Sequence, residues 1–248
     1  MIHKELTNVL KELHLPAVRE SYQELANDAV RETLSYEQFL LTLMERELDQ
    51  RRENRIRRLL RESCLPLEKS LSAFDRKRLP EKVDRLVTVL LPGNFMDKNE
   101  NVLAFGNPGS GKTHLLCALG QEMIHRHGRR VLFTPCNILV QNLLISKRDL
   151  KLSNHLRKLS RYDAIIIDDI GYVQQSREEM EVLFTLLADC YERTSIMISS
   201  NLPFSEWEKI FKDPMTTAAA IDRLVHHSVI LELNIPSYRL EKSMKNIP

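Results

Sequence analysis

The sequence predicts an α/β protein in which a five-stranded parallel sheet with helices follows a small all-helical domain. Two observations lead to this prediction. Residues 1–65 show helical periodicity and contain no strand-like run. Beyond residue 100, short runs rich in β-branched residues alternate with helical segments, a pattern typical of a parallel sheet covered by helices on both faces. The five runs are NVLAF at 101–105, RVLFT at 130–134, AIIID at 164–168, SIMIS at 195–199 and SVILEL at 228–233.

The helical domain is predicted to contain at least three helices. Pro16 starts the second helix, because proline fits the first helical turn. Ser35 and Gln38 form a capping box, in which each side chain accepts a hydrogen bond from the other residue's backbone N–H, and a long third helix follows as far as Leu60. The first helix has apolar residues at the i, i+3, i+4, i+7 spacing of a buried face, namely Leu6, Val9, Leu10 and Leu13.

Composition limits the classes of protein that fit. The chain has 248 residues, of which 43% are hydrophobic and 28% charged, as is ordinary for a soluble globular protein. No apolar run approaches the roughly 18–20 residues that cross a bilayer, so no membrane partner is expected. MIHKELTNVL has no signal-peptide core, so a cytoplasmic location is expected. The cysteines lie far apart without a CxxC motif, and we expect reduced thiols in a core.

Glycine is scarce, and its position is therefore informative. The chain has 7 glycines, and three of them fall within the segment 106–111. This segment opens a match to the phosphate-binding loop G-x-x-x-x-G-K-[ST], between an apolar strand and a predicted helix at about 114–128. Backbone N–H groups of such a loop wrap phosphates, the lysine neutralises charge, and the hydroxyl binds Mg²⁺. The predicted ATP and Mg²⁺ site comprises Gly106, Asn107, Pro108, Gly109, Ser110, Gly111, Lys112, Thr113 and His114.

Two acids and an amide follow the next strands. Asp168 and Asp169 end a buried apolar strand, where carboxylates are costly unless they meet a cation or hydrogen-bond donors. Asp168 is the candidate Mg²⁺ ligand together with Thr113, and Asp169 is the candidate base for the attacking water. Asn201 follows the fourth strand and is expected to reach the γ-phosphate region if the two strands are neighbours. This set favours ATP hydrolysis over a small-molecule kinase, for which we find no acceptor-binding carboxylates.

With these residues placed, the chain resembles the IstB-type AAA+ ATPases, the transposition helper proteins of insertion sequences, which are related to DnaC-like helicase loaders. The resemblance covers nearly the whole chain. It rests on GNPGSGKTHL, IIIDDIGYV, SREEMEVLF, YERTSIMISSNLPFSEW, AAAIDRLVHHS and SYRL, and on LSYEQFLLTLMERE followed by an arginine cluster.

The resemblance implies an ATP-dependent homo-oligomer that binds DNA and recruits or stimulates a transposase. Neighbouring subunits of this family complete each other's ATP sites, and Arg223 matches the arginine expected to reach a neighbour's γ-phosphate. The usual helical lid is expected to be missing, because only about fifteen residues follow the last strand, and Arg239 is a candidate substitute for the lid arginine. Two alternatives stay open: a DnaC-like helicase loader, and a DNA scaffold that binds ATP without hydrolysing it.

Together with the resemblance, the motifs predict three regions. Residues 1–65 form a helical domain that binds DNA, a partner or both. Residues 66–100 form a linker and the first helices of the ATPase domain, because three prolines interrupt them. Residues 101–248 form the AAA+ ATPase core.

The small net charge of +2 conceals two basic blocks. Residues 51–62 carry six arginines, and residues 123–162 carry nine lysines and arginines against one acid. We predict that these blocks bind the backbone of duplex DNA with weak sequence preference. The candidate contacts are Arg51, Arg52, Arg55, Arg57, Arg58, Arg61, Lys147, Arg148 and Lys151.

Some other residues invite a functional interpretation that the sequence does not support. His125 and His127 have no third metal ligand near them in the sequence. Trp207 is expected to anchor a helix to the core. His226 and His227 follow Arg223 closely, and the sequence assigns them no role.

Overall fold

A computed structural model describes residues 2–171, 176–211 and 213–245. The chain divides into two compact units, Met1–Arg58 and Leu59–Pro248. The first helices are α1 (Ile2–Glu12), α2 (Pro16–Arg31) and α3 (Tyr36–Glu62). Among the described residues, no helix combines the length and apolar character that a membrane span requires.

The start of α3 is fixed by the predicted capping box. The Ser35 N–H donates to Gln38 Oε1 at 2.9 Å, and the Gln38 N–H donates to Ser35 Oγ at 3.2 Å. The helix then continues to Glu62, so the prediction of one long helix is confirmed.

The buried face predicted for α1 is largely wrong. Leu10 is buried and packs with Val18 and Leu43, but the other three residues of the predicted face remain exposed. A unit of a few helices has a high ratio of surface to volume and cannot cover every apolar side chain. The exposed residues of the predicted face are Leu6, Val9 and Leu13.

The larger unit is a five-stranded sheet with helices. Its strands are β1 (Asn101–Gly106), β2 (Val131–Pro135), β3 (Ala164–Asp168), β4 (Ser195–Ser200) and β5 (Ser228–Leu233). Its helices are α4 (Glu81–Leu90), α5 (Asn94–Asp97), α6 (Lys112–His127), α7 (Cys136–Arg148), α8 (Leu152–Leu159), α9 (Arg177–Cys190), α10 (Glu208–Phe211), α11 (Pro214–Val225) and α12 (Tyr238–Lys245).

All strand pairs are parallel, in the order β2-β3-β4-β1-β5. The predicted fold class is thus confirmed, and each predicted strand is found within one residue of its expected ends. Helix α6 begins at Lys112, two residues before its predicted start, because the helix forms directly from the phosphate-binding loop.

The core of the larger unit lies on the two faces of this sheet. Residues 102–104 and 164–167 are completely buried, as expected for central strands covered on both sides. Trp207 is also fully buried and donates its indole N–H to the Leu202 carbonyl at 3.1 Å, so its predicted anchoring role is confirmed. The thiols of Cys117, Cys136 and Cys190 lie in the core, whereas Cys64 is exposed, which corrects the expectation that all four are buried.

Candidate nucleotide-binding site

The predicted site residues meet at the carboxyl ends of three neighbouring strands. Strand β4 lies between β1 and β3, so that Gly106, Asp168 and Ser200 end their strands at one edge of the sheet. Parallel α/β sheets bind their ligands at this edge. The condition set for Asn201, that its strand should neighbour the strand of Asp168, is met.

The loop between β1 and α6 leaves no room for larger side chains. Gly109 and Gly111 have φ values of +79° and +98°, a region that L-residues rarely adopt. A Cβ atom at Gly109 would collide with the side chain of Ser237. The first backbone N–H groups of α6 face the same loop and carry the positive end of the helix dipole.

Lys112 lies at the centre of the loop. Its ammonium group donates to the carbonyl oxygens of Gly106 at 2.7 Å and Asn107 at 2.9 Å, and to Asn201 Oδ1 at 2.6 Å. Burial lowers the pKa of Lys112, and the nearby carboxylates of Asp169 and Asp168 oppose that effect. The ammonium thus donates hydrogen bonds to three neutral oxygens, although it lies among acids.

Thr113 and Asp168 are joined directly. The Thr113 hydroxyl donates to Asp168 Oδ1 at 2.7 Å, and the Ser199 hydroxyl donates to the same oxygen at 2.6 Å. A hydroxyl and a carboxylate oxygen held together in this way are suitable ligands for Mg²⁺, either directly or through water.

Asp169 points in a different direction from Asp168. Its backbone is left-handed, with φ of +63°, and its carboxylate accepts a hydrogen bond from Asn201 Nδ2 at 3.1 Å. Burial raises the pKa of Asp169, and the adjacent Asp168 carboxylate raises it further, while Lys112 and Arg239 oppose the rise. A carboxylate with a raised pKa is better suited to accept a proton from water.

A cavity of about 220 Å³ opens beside the loop. Sequence reasoning identified its loop side, including His114, whose ring packs edge-on against Phe74 at 5.1 Å and contacts the Ser70 carbonyl at 2.9 Å. It missed most of the opposite wall, because one of the two segments of that wall carries no motif and the other, which contains SYRL, gave only Arg239 a candidate role. These lining residues are Lys69, Ala73, Phe74, Asp75, Arg78, Ile235 and Tyr238, with Arg239 beside them.

The two wall segments are tied to each other and to the loop. The Arg78 guanidinium donates to Glu241 at 2.9 Å and to the Pro236 carbonyl at 3.1 Å, and it lies 5.1 Å above the Tyr238 ring. The Tyr238 N–H donates to the Gly109 carbonyl at 3.0 Å. Residues 235–241, which we call the strap, therefore pack directly on the phosphate-binding loop.

The residues present fit a nucleoside triphosphate with Mg²⁺. Ser110 Oγ is buried beside the loop and lacks a hydrogen-bond partner in the described part of the chain, so a polar group is available there. The glycines leave backbone N–H groups accessible, and the donor set combines an ammonium group with hard oxygen ligands. Phe74, Ile235 and Tyr238 supply the apolar surface that a planar base requires.

Comparison with known proteins decides the family. A family model described as IstB-like ATP binding protein matches residues 8–246. The chain belongs to the IstB-like ATP-binding protein family. It is 41% identical to an insertion sequence ATP-binding protein of Sinorhizobium fredii, over 96% of this chain and 80% of that protein. It is 36% identical to the insertion sequence IS21 ATP-binding protein of Pseudomonas aeruginosa, over 97% of this chain and 91% of that protein.

Solved structures show that this IstB-like protein has the AAA+ fold. The DnaC helicase loader aligns with a TM-score of 0.54 and 16% identity, over 62% of this chain and 89% of that one. DnaI aligns with a TM-score of 0.57 and 20% identity, over 68% and 94%. AMPPCP-bound DnaA from Aquifex aeolicus aligns with a TM-score of 0.55 and 18% identity, over 75% and 57%. At these identities the likeness concerns the fold alone.

Arg223 of the IstB-like chain lies on α11, which packs against α9 and α10. Its guanidinium sits 5.0 Å above the Phe184 ring and donates to the Ala219 carbonyl at 3.2 Å. Its described contacts are thus with α9 and α11, and its expected role toward another subunit stays a prediction.

The first basic block lies on exposed positions of α3, but its members differ in their contacts. Arg51 donates to buried Glu47 at 2.8 Å and to the His14 carbonyl at 2.7 Å, so it supports the helical unit itself. Arg52 and Arg57 are exposed, and Arg57 makes only a long contact to the Asn54 side chain at 3.4 Å among its described hydrogen bonds. The remaining exposed members are Arg55, Arg58 and Arg61.

The second basic block is partly neutralised. Lys147 pairs with Glu181 at 2.8 Å, and Arg148 lies 3.6 Å from Glu178. Lys151 lies 4.0 Å from Asp149. The excess of positive charge counted along this segment is thus partly offset in the fold, because α9 packs against α7 and supplies acids from outside the counted segment. Exposed pairs of this kind contribute little free energy and can exchange partners.

His226 and His227 lie with Glu192 in an exposed cluster whose ligand-type atoms are within 4.8 Å of one another. Tyr191 contacts His226 Nδ1 at 3.2 Å. Exposed clusters of this kind are common without an ion, and we assign no metal to this one.

Part of the IIIDDIGYV motif, Tyr172 and Val173, lies outside the described residues.

Proposed function

We propose that this IstB-like protein hydrolyses ATP to ADP and phosphate, and that this reaction controls its assembly on duplex DNA. The observation that carries the proposal is the arrangement of Lys112, Asp169 and Asn201. The Asn201 amide accepts from the ammonium and donates to the carboxylate, so one side chain joins the phosphate-binding group to the candidate base.

Each residue has a role in this proposal. The loop 106–111 and the N-terminus of α6 bind the phosphates, and Lys112 exchanges its carbonyl partners for phosphate oxygens, which form stronger charge-assisted bonds. Thr113 and Asp168 hold Mg²⁺, which neutralises the charge that develops on the phosphates. Asp169 accepts a proton from the attacking water, and Asn201 orients that water. Arg239 faces the same cavity as a second cation.

The proposal for subunit assembly concerns Arg223. We assign it to the ATP site of a neighbouring subunit in a homo-oligomer. Mixing Arg223→Ala with Asp169→Asn tests this assignment, because each variant supplies what the other lacks. Recovery of ATPase activity in the mixture, with neither variant active alone, is the expected result. A mixture as inactive as its components contradicts a role across the subunit boundary.

The partners are duplex DNA and a transposase. The relatives are named as ATP-binding proteins of insertion sequences, and one structural neighbour with 18% identity is a replication initiator bound to AMPPCP and single-stranded DNA. The exposed arginines of α3 suit phosphate contacts, which favour affinity for the DNA backbone over sequence readout.

The deciding experiment measures phosphate release and sedimentation with ATP, with DNA, and with both. We expect the largest assemblies and the fastest turnover with both. Assembly without phosphate release would instead identify an ATP-binding scaffold. A pull-down against transposase and replicative helicase separates a transposition helper from a helicase loader, the function named for the structural neighbour DnaC.

A further inference from the structure

The proposed ATPase site contains a buried hydroxyl to which the sequence motifs assign no role. Ser199 lies in β4, one residue beyond the pair formed by Ile167 of β3 and Ile198 of β4. This register sets Ser199 beside the point where β3 ends and the two acids begin. The side chain is 1% exposed, so its hydrogen bonds are made within the protein.

Ser199 uses its hydroxyl in both directions. It donates to Asp168 Oδ1 at 2.6 Å and accepts from the Asp169 N–H at 2.8 Å. Its backbone carbonyl also accepts from the Ile170 N–H at 3.1 Å. One residue of β4 therefore holds three consecutive residues of the neighbouring segment.

These contacts determine where the two carboxylates point. The chain turns at Asp169 through a left-handed backbone conformation that L-residues rarely adopt, and this conformation needs support from its surroundings. The turn directs Asp168 toward Thr113 and Asp169 toward Asn201. Without the hydroxyl, Asp168 loses one of its two hydroxyl donors, and the Asp169 N–H at the turn loses its acceptor.

We propose that Ser199 is a positioning residue that holds Asp168 for Mg²⁺ and Asp169 for the attacking water. This inference rests on the proposed ATPase function. Because Ser199 contacts both acids and does not itself line the cavity, its loss should affect Mg²⁺ use and turnover rather than the binding of ATP itself.

The chain offers a matched control on the same strand. Ser195 is fully buried, and its hydroxyl has no hydrogen-bond partner among the described residues. Ser195→Ala therefore removes the same atom from the same strand without breaking a hydrogen bond seen in the structure.

The test compares Ser199→Ala, Ser199→Thr and Ser195→Ala in the full chain. We measure turnover, the Mg²⁺ concentration for half-maximal rate, ATP affinity in EDTA and thermal unfolding. We expect Ser199→Ala to reduce turnover about 10- to 100-fold, as losses of groups that orient metal ligands do, and to raise the Mg²⁺ requirement. ATP affinity in EDTA should not change, Ser199→Thr should restore turnover, and Ser195→Ala should behave as the unmodified protein.

Wild-type turnover and Mg²⁺ requirement in Ser199→Ala, or an equal loss in Ser195→Ala, would overturn the inference. If Ser199→Ala unfolds below the assay temperature, Ser199→Cys replaces it, since the thiol is a weaker hydrogen-bond donor of similar size. Wild-type turnover and Mg²⁺ requirement in Ser199→Cys would also overturn the inference. If the unmodified protein releases no phosphate, the proposed function fails separately. In that case ATP affinity is compared with and without Mg²⁺. If Mg²⁺ no longer raises the ATP affinity of the Ser199 variant, the inference is supported. If Mg²⁺ raises it as in the unmodified protein, the inference is overturned.

Discussion

At the scale of single residues, the site separates two adjacent acids by backbone conformation rather than by sequence spacing. Asp168 and Asp169 share one strand end, yet the first contacts Thr113 and the second contacts Asn201. The left-handed backbone of Asp169 produces this divergence. Two neighbouring carboxylates can therefore take the separate roles of metal ligand and base.

Asp169→Asn should remove the base while preserving ATP binding. The amide cannot accept a proton from water, so we expect turnover to fall at least about 100-fold, within the range that general bases contribute. ATP affinity, measured by titration calorimetry, should stay within a few-fold of the unmodified protein. Asp149→Asn, at an exposed position remote from the loop, is the control. Turnover near the unmodified rate in Asp169→Asn would rule out its role as base.

Thiol reactivity provides a second residue-scale prediction. Burial raises the pKa of both the Cys117 and the Cys190 thiol to about 12, so almost none of either is thiolate at pH 8. Cys136 is 1% exposed, whereas Cys64 is exposed. Brief treatment with iodoacetamide at pH 8 should add one carbamidomethyl group, on Cys64, as measured by mass spectrometry. Denatured protein should accept four, and several adducts on the native protein would contradict the described core.

At the scale of elements, the start of α2 depends on a side chain from another helix. Leu15 at its N-cap position provides no side-chain hydrogen bond. Instead, the Glu47 carboxylate of α3 accepts from the N–H groups of Ala17 at 2.9 Å and Val18 at 3.3 Å, while Arg51 pairs with its other oxygen. Glu47 is 4% exposed, so this carboxylate joins two helices in the interior of the unit.

Glu47→Ala should therefore destabilise α2. It leaves the N–H groups of Ala17 and Val18 without this acceptor and Arg51 without its partner, at a cost of about 1–3 kcal/mol. Hydrogen exchange of peptides from residues 15–31 should accelerate, while β1 and β3 keep their protection. Glu45→Ala, at an exposed position of the same helix, serves as the control. Unchanged exchange in the Glu47 variant would mean that its carboxylate does not hold α2.

The ion pair of Glu47 and Arg51 predicts that the stability of this helical unit depends on pH. Desolvation raises the pKa of Glu47, but hydrogen bonds from Arg51, Val18 and Ala17 outweigh it, so the net pKa is lowered below 4.5. A carboxylate whose folded-state pKa is lowered stabilises the fold above its unfolded pKa. Its contribution is lost as pH falls below about 4.5 toward the lowered value, so exchange of α2 should accelerate there. If hydrogen exchange of α2 in Glu47→Gln accelerates by the same factor over the same fall in pH, groups other than Glu47 cause the pH dependence.

Much of the fold could be predicted because strong local signals coincide with it. The β-branched runs became the five strands, and the capping box of Ser35 and Gln38 begins a helix. The phosphate-binding loop and the two acids were predictable because their chemistry dictates residue types at fixed spacing. The roles of Phe74, Ser199 and Tyr238 could not be predicted, because they depend on which distant segments the sheet order brings together. Nor could the pairing of Lys147 with Glu181, which depends on helix packing.

At the scale of the whole molecule, charge is distributed in blocks, and the near-neutral total is a poor guide to partners. Arg52 and Arg57 of α3 are exposed, while α9 acids pair with Lys147 and Arg148 of the second block. If the protein binds DNA as proposed, we expect exposed arginines of α3 such as Arg52 to contribute to the affinity, and Arg51 to contribute mainly to the stability of its own unit.

DNA binding should weaken steeply with salt, because each neutralised phosphate releases counterions. Arg52→Ala should lower affinity for all duplex sequences and reduce the slope of log affinity against log salt by about 1, as measured by fluorescence anisotropy. Arg193→Ala removes an exposed arginine outside both blocks that already pairs with Asp189, and it should leave the slope unchanged. A salt-independent affinity would contradict binding through the DNA backbone.

The strap has a consequence for how the protein is made. Arg78 and Glu241, which close the cavity wall, are 163 residues apart in the chain. During synthesis the N-terminal segments emerge first and begin to fold, but the wall over Gly109 is not complete until residues 235–241 have left the ribosome. A nascent chain therefore carries an intact phosphate-binding loop without a finished nucleotide pocket. We therefore expect full ATP affinity only after residues 235–241 have been made, later than every other element of the candidate site.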